Sequence, residues 1–313
     1  MQHIRGGVRP PGGHDIVGRR HLPGLLAGTT VLVALLLIGV AVAGATSQAP
    51  VIAYGSERGG PVRVHVLGVP PGSSRVLQSR GLGMDVQPSW SRDGKRLAFA
   101  TSDASGQDFD ISIMAANGSA RKRITSGPAW DEQPAWSPNG KWIAFSSDRD
   151  GDFEIFLVHP DGTGLRQLTS NACEDTEPTW SPDGSQLLFT SRRGGFPHLW
   201  KMNANGSGQK KFLKVLSASP AWSPDGNTIA YTSDVGGSDD IFTVGANGRG
   251  IVRLTPNDGV SDTDPTWSPD GSMIAFSSNH DGDSDIFEMN ADGTGIHVLT
   301  SGVWTDESPA WRP

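Results

Sequence analysis

A five-residue phrase recurs through this chain: Trp136-Ser137-Pro138-Asn139-Gly140 has close copies at Trp90, Trp180, Trp222 and Trp267, and a cut-off copy at Trp311. Successive tryptophans lie 46, 44, 42, 45 and 44 residues apart, and a proline stands two residues before each, from Pro88 to Pro309. A period in this range, kept from about residue 50 to the C-terminus, restricts the chain to a propeller or a similar repeat array. Each unit of such an array buries its faces only against its neighbours. One end-to-end period also predicts a single domain over 51–313 rather than two.

Turn chemistry divides each copy into four strands. Pro134-Ala135-Trp136 reads as an extended piece. In residues 137–140, proline stands where a type I turn wants φ of about −65° and glycine where a positive φ is needed. Residues 141–147 alternate large and small side chains, as a strand packed on both faces does. Turns at 148–152 and 160–164 frame a third strand over 153–158 and a fourth over 165–169. Four strands per repeat is a propeller blade. Many tight turns also explain the abundance of Gly (41) and Pro (22).

The middle strand recurs six times, as Ile52-Ala53-Tyr54, Leu97-Ala98-Phe99, Ile143-Ala144-Phe145, Leu187-Leu188-Phe189, Ile229-Ala230-Tyr231 and Ile274-Ala275-Phe276. The first copy has no proline-tryptophan strand before it, and Pro309-Ala310-Trp311 has no middle strand after it. The two halves complete each other. The expected fold is an all-β, six-bladed β-propeller closed by the C-terminal strand, which leaves no open sheet edge.

The repeat is preceded by sequence of a different kind. Residues 1–21 carry Arg5, Arg9, Arg19 and Arg20, and no charged side chain occurs from Leu22 until Glu57. Residues 22–45 are expected to form one apolar helix, long enough to cross a bilayer. Ala41-Val42-Ala43 and Ala43-Gly44-Ala45 also suit signal peptidase. A cleaved signal peptide and a retained transmembrane anchor both stand. Either exports the remainder, as a secreted or periplasmic protein or one tethered to the cytoplasmic membrane, with the arginines inside. Residues 46–50 are read as a linker. The chain carries a net charge of −7, of which the first 50 residues contribute four arginines against Asp15, leaving −10 on the rest. Such a surface disfavours nucleic acid and anionic lipid. Lone Cys173 excludes an internal disulfide and reads as a buried thiol.

The unit Trp267-Ser268-Pro269-Asp270-Gly271, followed by Asp292-Gly293 and Leu299-Thr300, resembles the TolB-type propeller repeat. The resemblance covers about 51–313 and implies fold far more than function. A separate α/β domain, which TolB carries ahead of its propeller, is not expected in the few residues between the apolar segment and the first blade. The repeat also resembles propellers that precede prolyl-oligopeptidase hydrolase domains, but no Gly-x-Ser-x-Gly elbow is present.

Candidate site residues fall into three groups. Three positions before the repeat proline stand Asp85, Asp131, Asp175, Asp262 and Asp306, with Ser217 in the sixth copy. Leading into the innermost strand, they are expected to ring one mouth of the channel. There they could hold a cation such as Ca²⁺ or a basic partner group; alternatively each caps its turn through backbone N–H groups. A second acidic set, Asp110, Glu154, Asp240 and Asp285, is replaced by Arg63 and His198 in the other copies and reads as part of solvated turns. Departures from the repeat form the third group: a basic blade with Arg192, Arg193 and His198, and the extra loop tryptophans Trp130 and Trp304. No His or Cys cluster, phosphate loop or nucleophile beside a base appears, so no catalytic or metal-ligating residue is nominated. The functional expectation is a monomeric extracytoplasmic scaffold that binds an envelope protein or peptide through these residues, without a cofactor unless Ca²⁺ sits on the aspartate ring. The alternative is a propeller enzyme acting on polysaccharide, which the resemblance implies would use histidine and metal at the channel.

Overall fold

The computed structural model describes residues 51–58, 60–68, 73–77, 83–103, 106, 108–256, 258–280 and 282–313. The basic segment, the apolar helix and the linker expected over 1–50 lie outside these residues. Among the described residues there are 24 strands and no helix.

The strands form six antiparallel sheets of four, which are the blades. Their innermost strands are Asp306–Trp311, Asp85–Trp90, Asp131–Trp136, Asp175–Trp180, Ala218–Trp222 and Asp262–Trp267, taken here as blades one to six. In five blades the four strands follow one another in sequence. In the first, Asp306–Trp311 pairs with Ile52–Ser56, which leads into Arg63–Gly68 and Ser73–Val76. The register sets Ile52 opposite Trp311 and Ser56 opposite Asp306. Arg312 extends the join, its N–H donating to Val51 O at 2.8 Å.

The core lies between blades rather than inside one. Six buried clusters occupy the six seams, and each contains or touches the repeat tryptophan of the following blade. Second strands supply most of the burial, because sheets covered on both faces read as continuous apolar runs. Phe99, Phe145, Phe189, Tyr54, Tyr231 and Phe276 are almost completely enclosed.

Turn residues account for the rest of the frame. Within 137–140, Ser137 Oγ donates to Asn139 Oδ1 at 2.8 Å, Gly140 N donates to Ser137 O at 2.8 Å, and Gly140 has φ +67°. Only glycine adopts such a φ without strain, which explains its place in each copy.

Every innermost strand also carries a bulge. Gln87, Gln133, Glu177, Ser219, Asp264 and Ser308, each just before the repeat proline, have φ between 46° and 56°. Ladder register shifts at the same places, for example between Glu132 and Ala135. A left-handed residue before proline is an uncommon conformation, and its recurrence marks a built feature of the blade.

Candidate functional site

The bulges determine what faces the channel. In a regular strand, residues 131, 133 and 135 would share one face; one extra residue flips that parity. Asp131, Pro134 and Trp136 are buried, and Gln133, at the bulge, lines the axial cavity.

The aspartate ring expected at the channel mouth is buried. Asp85, Asp131, Asp175, Asp262 and Asp306 are at most 5% exposed. Four of them meet an arginine. Arg121 reaches Asp85 through two nitrogens at 2.8 and 2.6 Å, and Arg149 Nη2 lies 2.8 Å from both oxygens of Asp131. Arg58 bonds Asp306 at 2.8 Å, and Arg193 donates to Asp175. Asp262 pairs with no arginine among the described residues; burial raises its carboxyl, and the nearby Ser278 and Thr255 hydroxyls oppose that rise. The acids are thus satisfied mainly by side chains, not by the backbone N–H groups expected of turn caps. Four of the five are buried carboxylates in ion pairs.

The second acidic set is buried as well, rather than solvated. Asp110, Glu154, Asp240 and Asp285 are at most 2% exposed and lie at the start of the third strands, Asp110 one residue in. Asn171 Nδ2 bridges Glu154 (2.9 Å) to Asp175 (2.9 Å) of the next blade, and Arg123 pairs with Asp110 at 2.7 Å. Burial pushes the carboxyl of Asp110 up to about 6 and also raises Glu154, with Asp175 adding to the rise.

The basic sector is largely neutralised. Arg193 lies over Trp200 (4.7 Å), donates to Gln209 at 2.7 Å and pairs with Asp175; Arg192 pairs with Glu174 at 2.9 Å. Arg193→Glu would set a second acid beside buried Asp175, so that position supports the fold and is not a free contact. His198 opens its strand, with Nδ1 2.9 Å from Phe196 O. Cys173 is half-buried rather than enclosed.

Trp130 and Trp304 do stand out from the surface, at 39% and 42% exposure. The Trp130 ring packs tilted against Phe109 (5.4 Å between centroids), and its backbone N–H donates to Asp148 Oδ1 at 2.8 Å. On the same loop face Val303 is 82% exposed and Phe196 64%. Sequence reasoning passed over both.

It also passed over the channel lining. Gln87, Gln133, Glu177, Ser219, Asp264 and Ser308 surround a cavity of about 540 Å³ on the axis. Their side chains link neighbouring blades around part of the ring. Gln133 N donates to Gln87 Oε1 (3.0 Å), Glu177 N to Gln133 Oε1 (3.0 Å), and Ser219 N to Glu177 Oε2 (2.7 Å). Ser219 Oγ lies 3.2 Å from Glu177 and 3.0 Å from Asp264, yet a hydroxyl has one proton and satisfies one of them. Burial, and then Glu177, push the Asp264 carboxyl up to about 6. One side of the channel is thus acidic and the other amide-lined. The available signal was variation: these residues change from copy to copy between neighbours that recur. Beyond them, toward the repeat turns, the axis opens into a second cavity of about 390 Å³ walled by repeat tryptophans and prolines.

Asp110, Glu154 and Asp264 all hold a proton more tightly in the fold than in the unfolded chain. From about pH 4 through pH 6 the folded state binds more protons, so these groups lower stability as pH rises through that window. Calorimetry should find a higher Tm at pH 5 than at pH 8. Glu154→Gln keeps an acceptor for Asn171 and should raise Tm at pH 8 while changing little at pH 5. A Tm that climbs from pH 5 to pH 8 in the wild-type protein would contradict this assignment.

Among the described residues no group of three or more His, Cys, Asp or Glu side chains is placed to hold a metal ion. A family model described as the TolB beta propeller domain matches residues 45–164, 149–213 and 209–313. No curated protein matches the chain. Among solved structures, TolB from Acinetobacter baumannii is 24% identical with a TM-score of 0.75, over 85% of this chain and 67% of that one. A putative TolB from Agrobacterium tumefaciens is 20% identical, TM-score 0.66, over 85% and 99%. A chain from a nidogen/laminin complex reaches TM-score 0.69 at 9% identity, over 84% and 98%. At these identities the likeness is one of fold.

Proposed function

Because the chain belongs to the TolB β-propeller domain family, we propose that it is an extracytoplasmic scaffold, binding a protein or peptide of the cell envelope rather than catalysing a reaction. The ring works as a monomer clasped by the pairing of Asp306–Trp311 with Ile52–Ser56. Export rests on the arginine-led apolar segment over 22–45. No cofactor is needed, since arginines already occupy four of the five aspartates on which Ca²⁺ would have to sit.

The observation that carries this reading is the loop face. Trp130, Phe196, Val303 and Trp304 are held out in solvent on the loop face of a ring whose channel is acidic on one side. Large apolar groups supply most of the energy of protein recognition, and acidic groups at the base of a cleft select a basic side chain. A peptide or loop with apolar residues flanking Lys or Arg fits both features.

Placing a photo-crosslinking residue at 130 or 304 should yield a discrete adduct in envelope preparations. The same residue at exposed Arg249, in a turn on the opposite face, should yield none. Trp304→Ala should lower capture by the adduct at 130 several-fold with little change in Tm. Equal adduct formation from both faces would sink the proposal.

A further inference from the structure

Positive charge also gathers outside the sector that sequence suggested. At the seam of the second and third blades, on the face of the repeat turns, Arg96, Lys122, Lys141 and His159 line an open groove of about 720 Å³. Lys122 stands between Arg121 and Arg123, which are spent on Asp85 and Asp110; its own ammonium donates only to Asp161 O, at 2.7 Å. Arg96 lies flat over Trp136 at 4.6 Å. None of these three cations pairs with a carboxylate among the described residues.

Asp161 is the one acid of the groove, and it is held in its own turn. Its Oδ1 accepts from Thr163 N at 2.9 Å and from Thr163 Oγ1 at 2.6 Å. His159 forms a fixed flat wall, stacked on Trp142 at 3.7 Å with Nδ1 2.8 Å from Lys141 O. Arg166 also sits on Trp142, at 5.6 Å. Three permanent cations against one carboxylate leave a local excess of two positive charges, in a domain that is otherwise strongly acidic.

We propose that this groove binds the dianionic phosphate of a free phosphate ester of sugar-phosphate size. The charge excess matches a dianion, a guanidinium presents two parallel donors to phosphate oxygens, and lysines add point charges. The groove is open to solvent, and the ring of His159 offers a plane for the organic part. The net negative charge of the whole domain opposes docking on an anionic bilayer, which favours a soluble ester over a lipid headgroup.

The test is a tryptophan-emission titration of the full chain at pH 8 with sodium phosphate and with glycerol phosphate, against sodium chloride at equal ionic strength. A saturable change with both phosphates and none with chloride is expected. Lys122→Gln/Lys141→Gln, two exposed positions, should weaken it at least tenfold, while Lys210→Gln/Lys211→Gln, exposed on the fourth blade, should leave it as in wild type. A response that follows ionic strength alone, or that survives in the first double variant, would overturn the site. Preferential binding to phosphatidylglycerol over phosphatidylcholine vesicles, reversed by sodium phosphate, would overturn the assignment to a free ester.

Discussion

Removing residues 308–313 is expected to abolish cooperative unfolding. The deletion takes from Ile52 and Ala53 their partners Trp311 and Ala310, and opens the seam in which Trp311 packs with Ile52, Tyr54, Ala275 and Ile286. It also strips the neighbouring seam. Trp90 Nε1 loses its acceptor, Ala310 O at 3.1 Å, and Arg312, which bonds Gly94 O at 2.8 Å and lies 5.3 Å above the Trp90 ring, is gone. Two sheet edges become available for pairing with other chains. Calorimetry and size-exclusion chromatography should show a broad transition and aggregates in place of one sharp transition and a monomer. An unchanged Tm with a monomeric profile would mean that the first blade is complete without this strand.

Trp136→Ala should cost about 3–5 kcal/mol in denaturant unfolding, the range for truncating a buried aromatic side chain. Trp136 is 7% exposed, shares its seam with Ile113, Ile143 and Phe145, and is roofed by Arg96. Trp304→Ala, at a site 42% exposed, should cost well under about 1 kcal/mol. The repeat predicts Trp222 to be as buried as Trp136, but it is only half-buried. On the third strand, Ile113, Leu157 and Val66 stand opposite the second-strand Ala98, Ala144 and Ala53 in seams where the next tryptophan is covered. Lys201 occupies that position beside Trp222, and a charged chain stays near solvent, leaving a cleft of about 320 Å³. Trp222→Ala should therefore fall between the other two. Equal losses for Trp136 and Trp304 would contradict the seam assignment.

The fold was legible because its signals are local. Turn residues and two-residue alternation located all six second strands and the turns between them. The innermost strands proved longer than Pro134-Ala135-Trp136 implied, beginning three residues earlier at Asp131. The site was much less legible. Spacing located the aspartates but not their burial against arginines, and the bulge beyond them is made by Gln, Glu, Ser and Asp, with no glycine to announce a positive φ. Counting charge along the fourth blade likewise overlooked Glu174 and Asp175, just ahead of it, which neutralise Arg192 and Arg193. The groove at Lys122 and Lys141 joins residues of two blades, and no one-dimensional pattern brings them together.

The residue before each repeat proline has a consequence of another kind. Its main chain is set by the bulge, and its side chain lines the axial cavity, bonding its counterparts and second-strand hydroxyls rather than joining the apolar clusters of the seams. Within this one chain the position has already drifted through glutamine, glutamate, serine and aspartate, while the prolines on one side and the tryptophans two residues beyond them have not changed. Six copies of one position thus set the charge and hydrogen-bonding character of the channel wall, while the prolines and tryptophans that build the seams recur around them. A substitution such as Glu177→Gln, which keeps the acceptor for Ser219 N, changes the electrostatics of the lumen while leaving the apolar seams as they are.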